Sequence, residues 1–594
     1  MIPMIDREQF KQMSPEEQEA VFRQSSFAEK GELLIRSHDP AGLTRSLSQE
    51  ELYLMTREMD MEDRSEVLRN ATLPQMYFIA DIDCWKKDRI DRSGFLLWLE
   101  TLLAAGTEKT LQWLLAVDYE TLVTGFQEVL EVAKPDWEEA SDEVLADRPY
   151  FTIDDSYYLY VAERDLHIVK RVMELLFENY RGRYAALMEG LLGEDHDMAE
   201  EEAYRRREIR LSERGFPDFE TARRVYRRIT PEEFEAFPKK NKIRDSEMPV
   251  MPNYPALWTE QSLFLDQVLA LFKAEVPGVL EGIEEELAWL SNKVIAAEGI
   301  DFSSETIVRR GVTRARQMVS IGLEIQSGGN LEKARSLVKE RWLETVFRIT
   351  ATRLWALRDR AGTVIRTHWD GRRDFAFETL DSAYGYIFRG LFEEIPKCYD
   401  PAVVDQVFFL RDFRTLVEVE RAEYAVGQVE MLLAWIRAFW EKGILGVLEE
   451  VCVFAEAGGF FVILGTVFAR FVLDLKPEAA PLSEAAAQRF FKTAFEKHDS
   501  RFRLVPGVKT NFLRKNFSPK AQAFLLPVWA LVFENLEYAL EGAANDSAAL
   551  RLCTALWIQS RKKVVRRISA RSSLRAKRSN LKARSPRQPP ASSR

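Results

Sequence analysis

The chain has 594 residues, of which 46% are hydrophobic and 30% are charged, with only four cysteines. This composition is typical of a folded globular protein, and it excludes an intrinsically disordered chain and a dense disulfide framework. Because one hydrophobic core serves about 250–300 residues at most, the length predicts several domains or a stacked helical array.

Charge is divided unevenly along the chain. Residues 561–594 carry 13 Lys and Arg and no Asp or Glu, which leaves 70 basic and 94 acidic residues, a net charge of −24, for residues 1–560. Such an acidic body is expected to repel nucleic acid and anionic membranes. The sequence starts without the pattern of a signal peptide. Its most apolar stretch, 457–469, is shorter than the about 20 residues that span a bilayer and predicts a buried core helix. We therefore predict a cytoplasmic protein with no membrane span.

Short helices are predicted near the amino terminus. Ser14-Pro15-Glu16-Glu17 has the pattern of a capping box with proline in the first helical turn, and Thr230-Pro231-Glu232-Glu233 repeats it. Residues 47–82 divide into three blocks of twelve, with Ser48, Asp60 and Thr72 second in each block. A train of short helices that stack into a superhelix explains this spacing, because none could bury its apolar face alone.

The remaining segments complete a mainly α, multi-helical fold class. Residues 96–132 continue in helix, and 150–161, rich in aromatic and β-branched residues, predict the one convincing β-hairpin. Four prolines between 238 and 255 cannot continue a helix and indicate a linker. Long amphipathic helices are predicted over 332–367, and further helices over 402–474 and 480–558. The predicted domains are a short-helix superhelical region (1–146), a hairpin plus helical region (147–237), a Pro-rich linker (238–256), a C-terminal helical domain (257–558) and a basic disordered tail (561–594).

Several phrases together resemble an uncharacterised bacterial all-helical family, a domain of unknown function. They are LIRSHDPAGLTRSLSQEELYLMTREMDMED, DIDCWKKDRID, RLSERGFPDFETARRVYRRITPEEF, ELAWLSNKVIAAEGIDFSSE, MVSIGLEIQSGGN and DQVFFLRDFRTLVEVERAE. The resemblance covers about residues 25–545 and implies a helical, cytoplasmic protein, but no site residue. The tail SSLRAKRSNLKARS resembles the peptide encoded when dispersed bacterial repeat DNA is translated, and the alternative is a basic arm that binds nucleic acid or acidic lipid.

Two acidic segments are candidate metal sites. Asp81, Asp83 and Asp88 surround Trp85, and Glu194, Asp195, His196 and Asp197 are consecutive. Carboxylates with one imidazole suit Mg²⁺ or Mn²⁺. The alternatives are a helix cap with Trp85 as a packing anchor for the first segment, and a solvated loop with acids at a helix start for the second.

No catalytic motif is present, since the sequence lacks HExxH, GxxxxGK and GxSxG. We therefore predict a protein-interaction or regulatory scaffold whose partner is another protein, with its surface formed by the superhelical N-terminal half, and no cofactor or catalytic residue. The alternatives are a metal-dependent enzyme with a carboxylate-rich site and nucleic-acid binding through the basic tail.

Overall fold

A computed structural model gives the fold of the chain. It describes isolated residues between 10 and 25 and the range 27–558, with gaps at 58, 87, 135–148, 194–195, 241–262, 273–278, 300–304, 404–406, 441–442, 453–458, 499–500 and 542–550. The described residues form 26 α-helices and four two-stranded antiparallel sheets. The mainly α, multi-helical fold class is therefore confirmed.

The chain divides into two compact units, Met1–Thr352 and Arg353–Arg594. The predicted tail, and the predicted linker from residue 241 onward, lie outside the described residues. The five-part domain scheme stays a prediction.

Within the described residues, the first unit begins with eight short helices. They are α1 (Phe27–Ile35), α2 (Pro40–Ser46), α3 (Gln49–Arg57), α4 (Met61–Asn70), α5 (Leu73–Asp83), α6 (Arg92–Ala105), α7 (Thr107–Ala116) and α8 (Tyr119–Gln127). Helices α3, α4 and α5 begin twelve residues apart, and the capping boxes predicted at Ser48 and Thr72 are formed. Because each of α1 to α4 packs against the next helix but one, the apolar faces stack, which confirms the train of short helices.

The rest of the first unit combines long helices with three short ones. They are α9 (Leu166–Asn179), α10 (Arg181–Gly193), α11 (His196–Ser212), α12 (Phe219–Arg223), α13 (Pro231–Ala236), α14 (Phe264–Ala270), α15 (Val279–Ala297), α16 (Glu305–Ser327) and α17 (Leu331–Glu340), followed by α18 (Leu343–Trp369), which crosses into the second unit. Thr230 forms the predicted capping box at α13. The amphipathic helices predicted over 332–367 are α17 and α18.

The second unit continues with eight helices in the described ranges. They are α19 (Arg373–Thr379), α20 (Ser382–Leu391), α21 (Leu416–Arg437), α22 (Leu445–Cys452), α23 (Phe460–Val472), α24 (Glu484–Ala494), α25 (Pro506–Asn516) and α26 (Pro519–Ala539). Phe460 to Arg470 of α23 are all buried, as predicted for a core helix. Among the described residues, no helix is both long and apolar enough to cross a membrane.

The described residues form four short two-stranded sheets, whereas the sequence predicted a single hairpin. The pairs are β1 (Trp85–Lys86) with β2 (Arg89–Ile90), β3 (Leu130–Ala133) with β4 (Tyr158–Val161), β5 (Cys398–Tyr399) with β6 (Leu410–Arg411), and β7 (Phe495–His498) with β8 (Arg501–Leu504). In the predicted hairpin region, Phe151 forms an isolated bridge with Leu159 on β4. On its other edge, β4 pairs with β3, where the sequence pattern predicted helix up to residue 132.

Candidate functional site

Asp81, the first predicted site residue, lies buried near the end of α5. Arg210 of α11 donates to both of its carboxylate oxygens, from Nε at 2.8 Å and from Nη2 at 2.6 Å. The same guanidinium donates from Nη1 to Asp118 at 2.5 Å. Burial raises the pKa of Asp81, while the hydrogen bonds from Arg210 oppose that rise. The arrangement is a buried ion-pair network that joins α5 to α11.

Arg207, one turn earlier on α11, reinforces this junction. Its Nε donates to the carbonyl oxygen of Asp81 at 2.7 Å, and its guanidinium lies over the Trp85 ring at 5.4 Å. Burial lowers the pKa of Arg207. Trp85 is buried, in keeping with the packing anchor that was the alternative to a metal site in this segment.

Asp83 belongs to a second network, within the short helices α3, α4 and α5. Its carboxylate accepts hydrogen bonds from Tyr53 Oη at 2.8 Å and from Arg64 Nη2 at 2.7 Å, and Arg57 Nη1 lies 3.4 Å away. Asp88 is exposed, between β1 and β2. The structure therefore does not bring the three aspartates together in one cluster.

The second acidic segment lies at the start of α11. Glu194, Asp195 and the His196 side chain are outside the described residues, and Asp197 is exposed in the first turn. Within the described ranges, no group of three or more His, Cys, Asp or Glu side chains is arranged to hold a metal ion. The two metal sites stay predictions.

A different kind of surface lies on α21. Val417, Tyr424 and Met431 are exposed at seven-residue intervals, with exposed fractions of 48, 41 and 38%. Seven residues are close to two helical turns, so the three side chains lie on one side of the helix. The core side of α21 is already filled by residues such as Val426 and Leu433. The exposed stripe therefore lies apart from the packed side of the helix.

Helix α26 carries a second stripe with the same spacing. Phe524 is half-buried, and Leu531 and Tyr538 are 38 and 74% exposed. The buried side of α26, which includes Trp529 and Val532, faces the core of the unit. A Tyr side chain that is three-quarters exposed at the end of an apolar stripe is typical of a binding surface.

The two stripes meet at Tyr424 and Phe524. The ring centroids are 4.4 Å apart, and Tyr424 Oη donates to the Phe524 carbonyl oxygen at 2.9 Å. Gln428 Nε2 donates to the same oxygen at 2.7 Å. Pro527 lies inside α26, three residues after Phe524. The stripes are thus continuous across the α21–α26 contact.

Each stripe includes a glutamate in the same place. Glu420 lies three residues after Val417 and four before Tyr424, and Glu534 has the same position between Leu531 and Tyr538. Both glutamates are exposed. Glu534 has no ion pair among the described residues. We call the eight residues of both stripes the docking face: Val417, Glu420, Tyr424, Met431, Phe524, Leu531, Glu534 and Tyr538.

Ion pairs hold α21 against the preceding long helix, α18. Arg353 donates to both carboxylate oxygens of Glu423, at 2.7 and 2.8 Å, and Arg360 Nη2 lies 2.7 Å from Glu430. The glutamates on this side of α21 are therefore already paired, while Glu420 lies only within 3.9 Å of Arg353.

The residues of the docking face were not among the candidate site residues predicted from the sequence. The available signal was the repeated spacing of apolar residue, glutamate and tyrosine at positions i, i+3 and i+7, present once on α21 and once on α26. Sequence alone does not distinguish an exposed apolar stripe from a core-facing one, because both have helical spacing.

Comparison with known proteins identifies a family. A family model described as "Family of unknown function (DUF6178)" matches residues 7–559, which includes every described helix. The resemblance to a domain of unknown function over about residues 25–545 is therefore confirmed. No curated protein and no solved structure matches the chain.

Proposed function

The chain belongs to a family of unknown function, DUF6178, and we propose that it is a protein-interaction scaffold whose docking face binds an amphipathic helix with basic flanks from a partner protein. The observation that carries this proposal is the pair of exposed seven-residue stripes on α21 and α26, joined at Tyr424 and Phe524. Amphipathic helices bind such surfaces through apolar residues at helical spacing.

The shape of the docking face suits a helix. Fourteen residues separate Val417 from Met431, which corresponds to about 21 Å along the helix axis. Further burial of each exposed apolar side chain contributes roughly 1 kcal/mol, and Tyr is enriched among residues that dominate binding energy. The loss of translational and rotational freedom offsets much of this gain, so a weak, reversible complex is expected.

Charge selects the partner. Glu420 and Glu534 lie within the stripes, and residues 1–560 carry a net charge of −24. A second copy of the chain would bring more carboxylates to the same face, whereas lysines or arginines beside the apolar residues of a partner would pair with them. We therefore assign the face to a basic partner helix and not to self-association.

We also propose a reducing, cytoplasmic setting. Its support is that Cys84 and Cys398 are free and buried. For the alternative of a metal-dependent enzyme, Asp81 and Asp83 already accept hydrogen bonds from arginines, which makes them poor metal ligands without rearrangement.

A titration with synthetic helices tests the docking face. The full chain is titrated by fluorescence anisotropy with a labelled amphipathic peptide of about 20 residues that carries leucines at seven-residue spacing and flanking lysines. An isomer with flanking glutamates and a scrambled lysine peptide are the two comparison ligands. We expect the lysine peptide to bind more tightly than either one.

Matched variants locate the binding. Leu531→Glu should lower the affinity for the lysine peptide by about tenfold or more. Leu526→Glu should leave that affinity unchanged, because Leu526 is 53% exposed on the same helix but lies outside the stripe. Glu420→Lys with Glu534→Lys should reverse the preference to the glutamate peptide. The proposal would be contradicted if the lysine and scrambled peptides bound equally well, or if both leucine variants lost affinity equally. It would also be contradicted if the chain formed a dimer that Leu531→Glu abolished.

A further inference from the structure

Arginines surround a pair of phenylalanines in the second unit, away from the residues of the docking face. Arg358 and Arg373 both lie over the Phe392 ring, at 5.6 and 4.8 Å from its centroid. The Phe377 ring is 5.7 Å from that of Phe392, and Arg389 lies over Phe377 at 5.1 Å.

Arg366 belongs to the same group. A methyl group at Gly362 would lie 3.4 Å from Arg366 Nη1 and 3.6 Å from Phe392 Cζ, so this guanidinium and the edge of the ring both border Gly362. We call Arg358, Arg366, Arg373 and Arg389 with Phe377 and Phe392 the arginine cluster. Arg366 and Arg373 are exposed, and Arg358 and Arg389 are half-buried.

A strained turn covers Arg389. The Phe408 ring lies 4.0 Å from its guanidinium carbon. Phe408 and the next residue, Phe409, both adopt left-handed backbone conformations, with φ of 69° and 56°. For a bulky side chain each such conformation costs on the order of 1–3 kcal/mol, and strain of this kind is concentrated at functional sites. The strained backbone therefore lies where the Phe408 ring covers the Arg389 guanidinium.

Three of the four guanidinium groups, those of Arg366, Arg373 and Arg389, lack a carboxylate partner within the described residues. Elsewhere on α18, Arg353 and Arg360 each bond a glutamate of α21. In a chain with 94 acidic residues, three neighbouring arginines without a carboxylate are unusual. Stacking on an aromatic ring uses the face of a guanidinium and leaves its in-plane N–H donors available, as in Arg373 and Arg389. Arg358 Nη1 donates to the Glu393 carbonyl oxygen at 3.0 Å, and Arg366 Nη2 donates to Thr363 Oγ1 at 2.9 Å.

We propose that the arginine cluster binds a small, multiply charged anion bearing phosphate or carboxylate groups. Guanidinium forks bind both groups with paired, charge-assisted hydrogen bonds. Several arginines around one ring suit a compact ligand, while the acidic body opposes the approach of a polyanionic macromolecule. The site is independent of the docking face, because it shares no residue with it.

Calorimetric titration of the full chain at constant ionic strength tests the site, with inorganic pyrophosphate and citrate as the two probes. We expect saturable binding of at least one probe with a stoichiometry near one. Arg373→Gln and Arg389→Gln should each weaken it about tenfold. Arg373 is exposed, so its replacement leaves the fold intact. Arg360→Gln is the matched control, since it removes the same charge from an arginine paired with Glu430.

The two probes separate the sources of the anion. Tighter pyrophosphate binding assigns the site to phosphate groups, and tighter citrate binding assigns it to carboxylates; either result supports the proposal when the variants follow the expected order. The proposal is overturned if neither probe gives saturable binding, or if Arg373→Gln and Arg389→Gln both bind as tightly as Arg360→Gln.

Discussion

At the residue scale, Arg210 holds two carboxylates that come from separate helices of the first unit. Its hydrogen bonds to Asp81 and Asp118 measure 2.5–2.8 Å. Removing one partner of a buried ion pair leaves an uncompensated charge, which costs about 3–5 kcal/mol. We expect Arg210→Gln to lower the free energy of unfolding of the first unit by an amount in this range, measured by denaturant titration.

Arg206, on the same helix, provides the control. It is exposed and pairs with Glu202 and Glu120 at 3.3 and 3.1 Å. Because exposed ion pairs contribute only about 0–1 kcal/mol, Arg206→Gln should have little effect. Equal destabilisation by the two variants would show that the buried network has no special role.

The buried side chain of Glu50 predicts that the stability of the folded chain depends on pH. It is 2% exposed, its Oε1 atom has no hydrogen-bond partner, and burial raises its pKa to about 7. Between the ordinary pKa of 4.5 and about 7, the folded chain keeps a proton that the unfolded chain has released. This contribution to stability is therefore present at low pH and is lost as pH rises toward 7.

Glu50→Gln removes this titration. Between about pH 5 and about pH 8, the free energy of unfolding of the wild type should fall by on the order of 2–3 kcal/mol more than that of the variant. Thermal unfolding of both proteins at the two pH values measures the difference. Glu62→Gln, at an exposed position on α4, is the control, and a wild-type slope no steeper than that of Glu50→Gln would contradict the prediction.

At the element scale, α16 and α18 approach closely at Gly322. A methyl group there would lie 2.3 Å from the Val346 carbonyl oxygen, a backbone atom that cannot move aside without shifting α18. Gly322→Ala is therefore expected to destabilise the chain by about 1–3 kcal/mol. Gly282 in α15 has open space around the same position, so Gly282→Ala should stabilise it by about 0.5–1 kcal/mol.

Thermal unfolding of the two glycine variants decides between these expectations. The midpoint should fall for Gly322→Ala and rise for Gly282→Ala. A rise in both would mean that helix propensity alone governs the two positions and that the helices do not pack as closely as the structure has them.

Elements that depend on local sequence could be predicted, and elements that depend on distant pairing could not. Helices α3, α4 and α5 follow from caps and apolar residues repeated every twelve positions, all within one segment. Strand β3 was missed because Leu130–Ala133 has its partner at Tyr158–Val161, well along the chain. The β7–β8 pair is an exception, because its strands are close together in the chain; it was missed because each strand has only four residues between helices.

At the scale of the whole molecule, the candidate sites were less predictable than the fold. Asp81 was recognised as a residue of interest, but its partner Arg210 lies 129 residues away, and only the tertiary structure brings the two together. The docking face combines α21 with α26, and the contact between Tyr424 and Phe524 spans 100 residues. Exposure of a stripe is a property of the packed unit and cannot be read from one helix.

Crosslinking in the cell tests whether the docking face binds a basic partner helix. A photo-crosslinking amino acid replaces Leu531 in the full chain, expressed in the organism that encodes it, and the crosslinked peptide is sequenced by mass spectrometry; Leu526 is substituted in the same way as the control. We predict an adduct at Leu531, absent at Leu526, with a segment of another protein that has helically spaced apolar residues flanked by Lys or Arg. An adduct with another copy of this chain or with its own residues 561–594, or no adduct above the Leu526 level, would contradict the account.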